Sequence, residues 1–209
     1  MIAFLGGTFD PVHNGHLHAA RMAAGALSCP VRLVLSAHPP HRPRPAASAE
    51  RRWAMLELAC AAEAGLDADD VELRRGGPSY TVDTLEALRL RHGDEPLSWI
   101  IGTDAFNEIH TWRRWRRVLD LGHLLVLPRP GAELEGAALK LCLEHRCPDL
   151  EQRPAGGIRL LDEAMLPVSA SAVRALIAKG GDAGHLLPEG VCAYIKQHGL
   201  YARSEWPVR

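Results

Sequence analysis

Short apolar runs and longer helical patterns alternate along this chain, and the alternation limits the fold more than any other feature. "IAFLG" (2–6), "VRLVLS" (31–36), "LSWIIG" (97–102) and "HLLVLP" (123–128) read as strands, with weaker ones at "VELRR" (71–75) and "IRLL" (158–161). Helical patterns lie at 17–27, 48–64, 81–92, 103–122 (in pieces), 169–181 and 186–201. Ser48 is placed to cap the second of these with Arg51 three residues on, and "SASAVRALIAKGG" (169–181) opens on serine and ends in glycine. The stretch "AHPPHRPRPAA" (37–47) is a loop, because prolines interrupt it repeatedly. Strand and helix in this order predict an α/β fold: a Rossmann-like, doubly wound parallel sheet with helices on both faces. A single domain is expected over 1–209, its C-terminal helical part covering about 165–209. Ligands of such folds sit beyond the carboxyl ends of the strands, at the switch in strand order. "GGTFDPVHNGH" (6–16), "GTD" (102–104) and "PRPG" (128–131) all fall there.

Charge and cysteine usage exclude several function classes. Formal net charge is −1, so no overall field draws the chain to nucleic acid or a membrane surface. Of its 24 basic residues 21 are Arg, the better bidentate phosphate ligand. Five cysteines, at 29, 60, 142, 147 and 192, form no CxxC pair, and no signal peptide is evident, so a reduced, cytoplasmic setting is expected. "CLEHRC" (142–147) fits zinc spacing poorly, and no apolar run approaches the ~20 residues of a membrane helix.

The histidine loop admits three readings: metal ligands, polar turn residues, or a phosphate site. Gly6 and Gly7 would let the backbone turn off the first strand and approach a ligand. A helix beginning near Asn14 or Gly15 would aim its first N–H groups into the same space, and His13 and His16 add two ring donors there. Zinc wants a third close ligand and none is near in sequence, so phosphate is favoured.

"GGTFDPVHNGH" resembles the HxGH signature of the nucleotidyltransferase superfamily. With "PPHR" (39–42), "PSYT" (78–81), "IIGTD" (100–104), "TW" (111–112), "LPRPG" (127–131), "VSASAVR" (168–174) and "LLPEGVCAYIKQHGLY" (186–201), the chain resembles the bacterial nicotinate-nucleotide adenylyltransferase family over nearly its whole length. It departs from the family pattern at Ser36, where a proline is usual, at Arg113, where an aromatic is common, and at Ser171, where threonine is usual. The resemblance implies AMP transfer from ATP to nicotinate mononucleotide with release of pyrophosphate. It implies catalytic roles for His13, His16 and Arg174. ATP contacts would come from Gly6, Gly7, Thr8, Phe9, Gly15, Gly102, Asp104, Ser169 and Ser171. Mononucleotide contacts would come from His41, Arg42, Tyr80, Thr81, Trp112, Arg113 and Arg129, with Trp112 stacking on the pyridine. Mg²⁺ would enter with ATP, with no protein-held metal and no nucleic-acid or membrane partner.

Several of these residues carry a plainer reading. Arg174 would be a solvated charge on an amphipathic helix whose Val173, Leu176 and Ile177 face the core. Asp104 would be the N-cap of a helix beginning at Ala105. "TWRRWRR" (111–117) interleaves aromatic and basic residues as a nucleic-acid surface would, yet Trp115, Val118 and Leu119 share one helical face, which is ordinary amphipathicity.

Overall fold

The computed structural model describes residues 1–40, 43–163 and 165–202. Six strands form one sheet: β1 (Ile2–Gly7), β2 (Val31–Leu35), β3 (Leu66–Asp69), β4 (Leu97–Gly102), β5 (His123–Leu127) and β6 (Ile158–Leu160). The order is β3-β2-β1-β4-β5-β6 and all five pairings are parallel. Chain direction across the sheet therefore reverses between β1 and β4, the switch point of a doubly wound fold. The helices are α1 (Asn14–Leu27), α2 (Ala49–Ala61), α3 (Val71–Arg75), α4 (Thr81–His92), α5 (Thr103–Asn107), α6 (Trp115–Leu121), α7 (Gly136–Glu144), α8 (Ala170–Ala178) and α9 (Glu189–Gln197).

Strand side chains alternate between two cores, as the period of two requires. Ala3 and Leu5 of β1 join Leu33, Leu35 and Ile100 against α1, α2, α8 and α9. Phe4 of the same strand joins Val34, Trp99 and Ile101 against α4, α5, α6 and α7. Because both faces are covered, these strands read as apolar runs rather than alternating ones.

Three elements differ from the sequence reading. Residues 71–75 are helix α3, and the third strand is the preceding "LDAD" (66–69), a polar edge strand with no β-branched residue. Its pairing with β2, Val31 opposite Leu66 and Leu33 opposite Ala68, supplies what its composition lacks. Buried Asp69 then ends the strand: its Oδ1 accepts the Val71 N–H at 3.0 Å, and Arg91 Nη1 lies 2.6 Å from Oδ2. Helix α7 has no counterpart in the sequence reading, although Ala138, Leu141 and Cys142, its buried residues, stand at helical spacing. Cys142 is thus a core residue, and no group of three or more metal-ligating side chains occurs among the described residues. Ser48 caps α2 as expected, accepting the Arg51 N–H.

Candidate active site

The histidine loop leaves β1 at the switch point, but its glycines do not make the turn expected of them. Neither Gly6 nor Gly7 has a positive φ, and both still belong to the strand. They are small because of packing: a Cβ on Gly6 would lie 2.3 Å from Trp99 Cζ2, and one on Gly7 would lie 2.7 Å from Phe9 Cε1. The turn is made by Phe9, a fully buried residue at φ 47°. Holding a phenylalanine in the left-handed region requires surroundings that fix it. Its ring and that of His16 meet nearly at right angles, with centroids 4.9 Å apart.

His13 is the N-cap of α1, which begins at Asn14, and the His13 and His16 rings stack at 3.7 Å with 19° between their planes. The backbone N–H of His13 donates to His16 Nδ1 at 3.3 Å. A neutral His16 therefore carries its proton on Nε2, as a donor. Buried His13 keeps Nδ1 without a partner. Burial, and then the positive charge of Arg129, lower the His13 pKa to about 4. Burial, His13 and Arg129 hold half-buried His16 well below the ordinary imidazole value. Both rings are neutral at pH 7 and offer N–H groups rather than full charges. Gly15, in the first turn of α1, makes room for this pair: a Cβ there would lie 3.1 Å from the His13 ring and 3.2 Å from Val168 Cβ.

The ends of β4 and β5 close the second side. Thr103 Oγ1 donates to the Leu127 carbonyl at 3.0 Å, tying the two strand ends together. Gly102 caps α5, so Asp104 lies in the helix's first turn instead of capping a helix from Ala105. The Asp104 carboxylate accepts from Arg129, whose charge also reaches both histidines. The structure therefore gathers Arg129 with Asp104, His13 and His16.

Helix α8 brings the third side. Ser169 is its N-cap, accepting the Ala172 N–H at 3.2 Å, with Ser171 Oγ 3.1 Å away. Arg174 is the fifth residue of α8, and its Nη1 donates to the main-chain oxygen of Asp10 at 2.6 Å. It is held under the histidine loop rather than left as a free surface charge. Val173 is buried and Leu176 and Ile177 pack on the core, as their spacing predicts.

The remaining candidates lie beside α4. Tyr80 is the N-cap of α4 and Thr81 its first residue, both half-buried. Trp112 is half-buried against the second core, and the Arg113 guanidinium lies 4.8 Å over the Tyr80 ring. Arg113 and Arg114 pair with Asp83, and Arg114 and Arg117 with Glu86, so acids of α4 neutralise much of the "TWRRWRR" charge. Ala37, His38, Arg44 and Pro78 border an open cleft of about 750 Å³ next to this region. His41 and Arg42 lie outside the described residues.

Three supporting residues are given no role by the sequence reading. Arg52, 1% exposed, donates to the carbonyls of Thr8, Ser36, Ala37 and Ala47. It pins the loops leaving β1 and β2 to the start of α2. Buried Asp10 accepts from the backbone of Ala46 and Ala47 and from the Tyr201 hydroxyl. On sequence alone Arg52 is one of two adjacent arginines at the exposed start of a helix, and Tyr201 is the last residue of a C-terminal motif with no stated role.

Residues 4–176 match the Cytidylyltransferase-like family model. A protein of Methylococcus capsulatus named "Probable nicotinate-nucleotide adenylyltransferase" is 44% identical, covering 97% of this chain and 100% of its own. A protein of the same name from Stenotrophomonas maltophilia is 45% identical, covering 98% of this chain and 97% of its own. Among solved structures, the Plasmodium falciparum nicotinic acid mononucleotide adenylyltransferase complexed with NaAD superposes with a TM-score of 0.76 at 16% identity, over 96% of each chain. That likeness reflects the shared fold.

Proposed function

The chain belongs to the nicotinate-nucleotide adenylyltransferases of the cytidylyltransferase-like family, and from that premise we propose that it transfers AMP from ATP to nicotinate mononucleotide, releasing pyrophosphate and forming nicotinate adenine dinucleotide. The observation that carries this reading is the neutral, stacked His13–His16 pair at the N-terminus of α1, on the switch point, with Arg129 beside it. Phosphate oxygens are the ligand that ring N–H groups, a helix N-terminus and an arginine suit together.

An acceptor phosphate oxygen attacks the α-phosphorus, and the bond from that phosphorus to the oxygen bridging the β-phosphate breaks. The acceptor's second phosphate pKa is about 6, so no general base is needed. Catalysis is then positioning and charge stabilisation. His13 and His16 donate to the ATP phosphates, and Arg174 with the N-terminus of α8, opened by Ser169 and Ser171, meets the β and γ groups. Gly6, Gly7, Thr8, Phe9 and Gly15 shape the floor of this site, and Gly102 and Asp104 flank the adenosine ribose. Trp112 stacks on the pyridine, with Tyr80, Thr81, Arg113, Arg129, His41 and Arg42 on the mononucleotide.

Mg²⁺ belongs to the nucleotide substrate. The imidazole nitrogens do not suit a hard cation, and the nearby carboxylates Asp10 and Asp104 are already bonded. The five free cysteines fit a cytoplasmic setting.

Backbone N–H groups around the pyridine would favour a carboxylate over a carboxamide by about 1–3 kcal/mol per group left unpaired. Arg113 contributes less than its charge suggests, because Asp83 shares it. Pyrophosphate release measured with ATP, Mg²⁺ and each mononucleotide should give the acid form at least roughly a tenfold advantage in kcat/KM. Release with neither mononucleotide would refute the reaction, and equal constants would refute the carboxylate pocket.

A further inference from the structure

Asp10 belongs to the histidine loop, and its carboxylate is satisfied from three directions. Oδ2 accepts the Ala46 N–H at 2.8 Å, and Oδ1 accepts the Ala47 N–H at 3.1 Å and the Tyr201 hydroxyl at 2.8 Å. Arg174 makes its short contact with the main-chain oxygen of Asp10, 2.6 Å away, and stays 3.7 Å from Oδ2. Arg52 directs four of its five N–H groups to carbonyls and forms no ion pair with the carboxylate, although the Asp10 charge reaches it. Tyr201 comes from 191 residues away. It follows α9 at φ 64°, just past Leu200, which is buried in the core shared with α1 and α2. The end of the chain is thus folded so that one hydroxyl reaches one oxygen under the candidate site.

We propose that Tyr201 is a positioning residue for the nucleotide polyphosphate: by satisfying Asp10 Oδ1, its hydroxyl keeps the Asp10 carboxylate from drawing Arg174 into a full ion pair and away from the cleft. The proposal rests on the reading of Arg174 as a ligand of the ATP phosphates. The physical reason is competition. A carboxylate with one donor fewer is a stronger partner for a guanidinium already within 4 Å of it, and an arginine paired bidentately has fewer N–H groups for phosphate. Burial and the Asp10 charge raise the tyrosine pKa, so the hydroxyl remains a donor at neutral pH.

The test is Tyr201→Phe in the full-length chain, which deletes one oxygen and preserves the ring. Losing one hydrogen bond's worth of preorganisation predicts a KM for ATP raised roughly three- to tenfold, with the KM for the mononucleotide unchanged. A tyrosine serving only the fold would move both constants, or neither. In an Arg174→Lys background the same substitution should change the KM for ATP by less than about twofold, because the residue it acts through has been replaced. If Arg174→Lys weakens ATP use while Tyr201→Phe leaves it untouched, or if the effect persists in full in the double variant, the proposal is wrong and the role of Arg174 stands. Wild-type ATP kinetics in Arg174→Lys would remove that role and the proposal with it. A Tyr201→Phe chain that fails to fold would also overturn it, since the hydroxyl would then serve stability alone.

Discussion

Protonating His13 should destabilise the protein, and the size of the effect follows from its surroundings. The ring is buried, Arg129 lies near, and its pKa falls to about 4 from an ordinary 6.5. Because the folded-state value lies below the unfolded one, the unfolded chain binds the proton more readily as pH drops. The stability tied to neutral His13 is fully present above pH 6.5 and is lost progressively as pH falls towards 4. Integrating the linkage gives a loss of about 2 kcal/mol at pH 5, rising to about 3 kcal/mol below pH 4. That is a large share of the roughly 5–15 kcal/mol that holds an ordinary domain together. His16, His123 and His92 are also shifted down by burial and add to the wild-type slope, so the comparison must be with a variant. Urea unfolding at several pH values between 7.5 and 5, for wild type and His13→Gln, isolates the contribution. The wild type should lose about 2 kcal/mol more than the variant across that range, and parallel pH slopes in the two proteins would show that His13 is not held neutral by the fold.

His16→Ala should lower kcat by roughly 10²–10³ in the pyrophosphate-release assay with little change in melting temperature, the scale of losing one preorganised donor; near-normal turnover would return His16 to a structural role. Arg52→Met fills similar volume but strands four carbonyls, and should destabilise by about 3–5 kcal/mol in chemical denaturation; a loss under about 1 kcal/mol would mean water replaces the guanidinium easily. Gly6→Ala should destabilise by about 1–3 kcal/mol through its clash with Trp99, and Gly6→Ala combined with Trp99→Leu should recover part of that loss. EDTA should abolish turnover and Mg²⁺ restore it, while elemental analysis of the purified protein should find no stoichiometric zinc; one tightly bound zinc per chain would revive the metal reading of the histidines.

Much of the architecture was legible because its signals are local. Buried strands announce themselves as apolar runs, helix starts as Ser48 and Ser169, and the alternation of the two dictates a parallel sheet. The strand at 66–69 was not legible, because "LDAD" becomes a strand only by pairing with β2. The same holds for the reason Gly6 and Gly7 are glycine. Sequence suggests a flexible turn, whereas the constraint comes from the rings of Trp99 and Phe9 pressing on an extended strand.

By itself the sequence determined the fold class, the position of the histidine loop at the switch point and the family, since these depend on periodicity, chain order and motifs read within a few residues. Only the tertiary structure decided how the site is held. Whether two histidines are neutral depends on burial and on Arg129, more than a hundred positions away. Whether Arg174 faces solvent or the loop depends on Asp10, and Asp10 is satisfied by a tyrosine 191 residues along the chain. Charge state and donor geometry are properties of neighbours in space, and a linear order of residues does not state which neighbours those will be.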